Sequence, residues 1–157
     1  MNSAIIEGLQ IVGENDALIH CGDVAFGSKD NIAEYVSNCK GDIFLTLGNH
    51  DHNILKHNYI SDLFTSVRDI QYLQFKGQKI VVCHYAMLLW HQSHKQARLA
   101  FGHSHNSNPG VGKSVDVGVD SAFDKFGQYR PFTFEEFVKF TNLRDPYLES
   151  HHSPNTN

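Results

Sequence analysis

Four short stretches carry side chains that can do chemistry: Gly22-Asp23, Gly48-Asn49-His50-Asp51, His84, and Gly102-His103-Ser104-His105. Each closes a run of apolar residues. Taken singly, each has a plain explanation as a turn, a loop or a satisfied core histidine. Among them, Asp23, Asn49, His84, His103 and His105 supply a carboxylate, a carboxamide oxygen and three imidazoles, with no obligatory sulfur. That donor set suits borderline divalent ions such as Mn²⁺, Fe²⁺, Co²⁺, Ni²⁺ or Zn²⁺. A carboxylate has two oxygens and can bridge two ions. Two ions about 3.5–4 Å apart can hold a hydroxide for in-line attack on phosphorus. They also neutralise the oxygens on which charge must be stabilised in the transition state.

The apolar runs read as strands, and strand ends in an α/β sheet lie side by side, where such folds place their chemistry. Residues 17–20, 42–47, 80–84 and 114–119 are short strands by their β-branched and aromatic content, and residues 98–101 form a further short run. Residues 67–75 pair with 80–84 as a hairpin across Lys76-Gly77-Gln78. Helical spacing predicts a first helix over residues 3–13 with Ser3 as N-cap, and a second from a Ser28 cap to about Cys39. A third runs from Ile54 to about Phe64, with Leu63 and Phe64 turned inward. A last helix starts at Thr133, with Glu136 at the capping-box position. Residues 106–112 are a loop by composition. The order of elements predicts a layered α/β sandwich, with one domain over residues 1–145 and a flexible tail over 146–157.

At 157 residues, 41% apolar and 19% charged, the chain suits one soluble globular domain. A net charge of −4 gives no general pull toward nucleic acid or an anionic membrane. The 11 histidines exceed the roughly three or four of average usage, so their positions matter. Three cysteines without a CxxC pair predict reduced thiols. No basic leader and no long apolar run is present, and the expected location is cytoplasmic.

The motifs GD at 22–23 and GNHD at 48–51, the strand-end His84 and GHSH at 102–105 resemble those of the calcineurin-like metallophosphoesterases. The resemblance is to the short bacterial and phage members, and it runs from about residue 16 to residue 119. It implies a four-layer α/β/β/α sandwich and hydrolysis of phosphate mono- or diesters by a metal-bridging hydroxide. Two divalent ions are implied, Mn²⁺ foremost. By motif position, Asp23 bridges both ions. Asn49, His84 and His103 complete the second site, and His105 belongs to the first. By the same resemblance, His50 would contact phosphate and act as general acid, and Asp51 would orient the loop or His50. The implied partner is a phosphate-ester substrate, with nucleic acid entering only as a substrate and no membrane.

The family opens with an Asp-x-His motif on its first strand, and this sequence has none upstream of Asp23. The expected fold is therefore N-terminally truncated, with a first metal site reduced to Asp23 and His105. Three explanations stay open: a start assigned too far downstream, a decayed gene, or a second chain or copy that donates the strand. The first is favoured. A non-catalytic remnant that binds one metal is the rival to a working hydrolase. Tyr85, Trp90 and His91 read either as a substrate wall or as aromatic packing under a loop, and Arg98 and Lys113 as candidate phosphate contacts.

Overall fold

The computed structural model describes residues 2–24 and 29–146. The expected Ser28 cap and most of the expected tail lie outside them. Strands β1 (Ala17–His20), β2 (Asp42–Thr46) and β3 (Ser66–Arg68) form a parallel sheet in that order. Strands β4 (Ile70–Phe75), β5 (Gln78–Cys83), β6 (Arg98–Phe101) and β7 (Ser114–Asp116) form a second sheet, also in chain order. Its first pair is an antiparallel hairpin and the rest is parallel.

Alternation along the strands sorts the core into layers. Leu18, Ile43 and Leu45 of the first sheet pack with Leu9, Ile32, Val36, Ile54 and Ile60 from the flanking helices and with Phe64 just past them. The opposite face of β1 sends Ile19 and Cys21 into a second cluster, with Ile80, Val82, Ala100, Val115 and Phe137. The other side chains of the second sheet, Val81, Cys83, Leu99 and Phe101, pack with Trp90 and Ala97 under the segment that follows β5. The result is two sheets flanked by helices, the layered sandwich that the order of elements predicts.

Four expectations are corrected. The run 67–75 is not one strand: the chain leaves the first sheet after Arg68 and enters the second at Ile70. The first helix is α1 (Asn2–Gly8), continued as a 3₁₀ turn over Leu9–Ile11, so Ser3 sits inside it rather than capping it. Helix α2 (Lys29–Ser37) stands where the second was expected. The third divides into α3 (His52–Lys56) and α4 (Asn58–Ser61), because His57 between them is extended at φ −133° and ψ 101°. That break turns Leu63 outward while Phe64 stays buried. The last expected strand stops at Asp116 and is followed by α5 (Val119–Phe126), which begins at Gly118 and ends at the left-handed Gly127.

Helix α6 (Phe134–Asn142) starts as expected, with Thr133 and Glu136 forming a reciprocal capping box. Its last turn holds Arg98, whose guanidinium donates to Thr141 Oγ1 at 2.5 Å and Asn142 Oδ1 at 2.8 Å. Arg98 is 5% exposed and clamps β6 to α6, so it is set aside as a candidate phosphate contact. Lys113 is likewise buried.

Candidate metal centre

The carboxyl ends of β1 and β2 in one sheet, and of β5 and β6 in the other, deliver the polar tips to one place. Asp23 follows β1, Asn49 follows β2, His84 directly follows β5, and His103 follows β6. His84 is the buried centre of the group, 2% exposed. Its Nδ1 lies 2.6 Å from the Cys21 carbonyl oxygen, which can only accept, so the proton sits on Nδ1. The lone pair of Nε2 is thereby aimed at the other tips. Asn49 Oδ1 lies 3.1 Å from Nε2, His103 Nδ1 3.1 Å, and Asp23 Oδ2 3.5 Å. Ligand atoms of Asp23, His84 and His103 all fall within 4.8 Å of one another. His84 Nε2, Asn49 Oδ1 and the Asp23 carboxylate all present lone pairs to the same space, and positive charge between them relieves their repulsion. One oxygen-and-nitrogen-ligated divalent cation is the chemistry this donor set fits.

A buried carboxylate holds the loops in register. Asp51, 1% exposed, accepts from the backbone N–H groups of Asp23 (2.7 Å), Val24 (2.9 Å) and Gly48 (2.8 Å). Asp23 in turn accepts from the His50 backbone N–H through Oδ1 at 2.9 Å. The close approach requires two glycines. At Gly22, φ is +91°, and a Cβ would lie 2.5 Å from Gly48 N and 2.7 Å from His84 Nδ1. At Gly48 a Cβ would strike the Asp23 carboxylate and sit 2.8 Å from His84 Cε1.

Several non-glycine residues here adopt left-handed backbone: Asp23 at φ 55°, His103 at 62°, His105 at 48° and Asn106 at 62°. L-residues pay for that conformation in steric energy, and such residues gather where a site demands them.

His105 is not a member of the close group. Its ring is exposed, with Nδ1 2.7 Å from Asp120 Oδ2 in the first turn of α5, leaving Nε2 as its remaining ligand atom. His50 is exposed, and its contact with Asp23 is made by its backbone N–H.

Four partners of the site were not foreseen from the sequence. Asp116 holds the GHSH loop, accepting from Ser104 Oγ at 2.5 Å and from the N–H groups of Asn106 (3.1 Å) and Gly118 (2.8 Å). Its signal was an acid at a strand end, the same placement as Asp23. Asp120 was hidden because Val115, Val117 and Val119 alternate and extend the β pattern into what is a helix start. His20 accepts from the Gly22 N–H at 3.2 Å. Burial pushes its imidazole below the ordinary histidine pKa, against the opposing pull of the Asp51 and Asp23 carboxylates. The Cys21 carbonyl belongs to the backbone and leaves no mark in the sequence.

The family model of the calcineurin-like phosphoesterases matches residues 2–139. Among solved structures, the chain is similar to a protein of unknown function from Aquifex aeolicus. The two are 21% identical with a TM-score of 0.62, over 86% of this chain and 82% of that one, a likeness of fold. It is also similar to a protein described as a novel archaeal phosphodiesterase, at 23% identity, 67% of each chain and a TM-score of 0.47. No curated protein matches the sequence. Among the described residues, no helix is long and apolar enough to cross a membrane.

Proposed function

The chain belongs to the calcineurin-like phosphoesterase family, and from that premise we propose that it hydrolyses phosphate esters on divalent ions held by Asp23, Asn49, His84 and His103. One observation carries the proposal: Asn49 Oδ1, His103 Nδ1 and Asp23 Oδ2 converge on the lone pair of His84 Nε2. A bound divalent ion supplies positive charge for the phosphoryl oxygens and acidifies a water for attack. The remaining work falls to the chain. The Cys21 carbonyl fixes the His84 tautomer, and Asp51 fixes the two loops that present Asp23 and Asn49. The exposed His50, whose backbone N–H donates to Asp23, would give a proton to the departing alkoxide.

His105, oriented by Asp120, would serve a second ion that shares Asp23. We assign Mn²⁺ as the first ion to try, residues 1–145 as the catalytic domain, and a cytoplasmic setting in keeping with the free Cys21, Cys39 and Cys83. Asn49→Ala and His84→Ala should each cut Mn²⁺-stimulated hydrolysis of bis(p-nitrophenyl) phosphate by at least about a hundredfold. Turnover at the wild-type rate in either variant sinks the assignment.

A second reading, a metal-binding chain without turnover, is favoured by the position of His105 outside the close group. It predicts Mn²⁺ binding with no hydrolysis of mono- or diesters, which the same assay decides.

A further inference from the structure

The residue after the buried His84 is Tyr85, and its side chain takes the opposite course, out of the core and across the mouth of the site. Its ring stands edge-on to both candidate ligand imidazoles, with centroids 4.9 Å from His84 and 4.7 Å from His103. Its hydroxyl lies 3.5 Å from Asn49 Oδ1, beyond a strong hydrogen bond. Yet 47% of the residue is exposed.

The backbone beneath it is fixed on both sides. His84 is held by Cys21. Ala86 and Met87 pack on the second-sheet core, and the buried Trp90 donates through Nε1 to the Ala97 carbonyl at 2.9 Å. On the same short segment Leu88 and Leu89 are 57% and 41% exposed. A preorganised aromatic wall thus borders the convergent donor atoms. Such a rim holds an apolar or flat group while the polar end of the same molecule meets the donors.

Resting on the phosphoesterase reading, we propose that Tyr85 is a substrate-positioning residue that selects phosphate esters carrying an aryl or nucleoside group. The ring packs against that group, and the hydroxyl, loosely engaged at Asn49, donates to a phosphoryl oxygen. Short alkyl esters gain only the second contact.

The test is calorimetric binding to the Mn²⁺-loaded full chain, with inorganic phosphate, methylphosphonate and phenylphosphonate as probes. Wild type should bind phenylphosphonate about tenfold more tightly than methylphosphonate. Tyr85→Phe should keep that preference and weaken all three probes by about threefold to tenfold. Tyr85→Ala should abolish the preference. Mn²⁺ affinity and melting temperature should hold in both variants, as expected for a half-exposed side chain. A phenyl preference that survives in Tyr85→Ala overturns the proposal. So does weakened Mn²⁺ binding in Tyr85→Phe, which would assign the hydroxyl to supporting Asn49. If wild type binds Mn²⁺ but none of the three probes, the phosphoesterase reading itself fails. Phosphate binding with an unaltered preference in Tyr85→Ala removes Tyr85 alone.

Discussion

Asp51 joins two loops that are far apart in the chain, and does so with three backbone N–H groups on one carboxylate. Hydrogen bonds to a buried charge are stronger than neutral ones, and removing the acceptor strands every donor it served. Asp51→Ala should therefore cost about 3 kcal/mol in urea unfolding. It should also weaken Mn²⁺ binding by about tenfold to a hundredfold in a calorimetric titration, although Asp51 is outside the close ligand group. A variant with wild-type Mn²⁺ affinity would show that the loops keep their register without it. The importance of Asp51 was visible in the sequence as a carboxylate in a polar tetrapeptide past a strand. Its three donors were not, because which amides face it depends on Gly22 and Gly48 letting two loops and His84 pack together.

At the level of elements, the strands that position the site were legible because their apolar runs are short and end in Gly or His. Periodicity could not reveal the change of sheet at Asp69, since β3 and β4 read as one run whose sheet is set by pairing partners. Helix α5 was masked by alternating valines. Helix α6 was legible because its start rests on local chemistry. Thr133 Oγ1 accepts from the Glu136 N–H, Glu136 accepts from the Thr133 N–H, and Arg130 forks onto the same carboxylate at 2.7 and 2.9 Å. The Arg130 guanidinium, foremost among the causes, holds the Glu136 carboxyl at about 2. A folded-state value below the unfolded one means the stabilisation is complete above the ordinary glutamate range, near ~4.3, and is lost as the pH falls toward 2. Glu136→Gln should lower stability by about 1 kcal/mol at neutral pH. In a pH series of thermal melts its deficit should shrink steadily below about pH 4. A deficit independent of pH would assign the loss to packing.

For the molecule as a whole, the candidate ligands come from both sheets: Asp23 and Asn49 follow strands of the first, His84 and His103 strands of the second. A cation among them ties the two sheets together and binds only the folded state. At a hundredfold excess over its dissociation constant it should stabilise the fold by about 2.7 kcal/mol. For a chain of this size that is roughly 5–10 °C in melting temperature. Scanning calorimetry with Mn²⁺ and then with a chelator should show the rise and its reversal, and His84→Ala should show neither. An equal rise in His84→Ala would place the stabilising ion elsewhere.

The left-handed backbone at Asp23, His103 and His105 has an evolutionary consequence. Glycine occupies that conformation without steric penalty, whereas aspartate and histidine do not. Mutational drift in a lineage freed from its catalytic task would find stabilising replacements at these three positions, each one erasing a donor atom. On the proposed metal reading, the thermodynamic optimum of the chain and its chemistry pull in opposite directions at the same few dihedral angles.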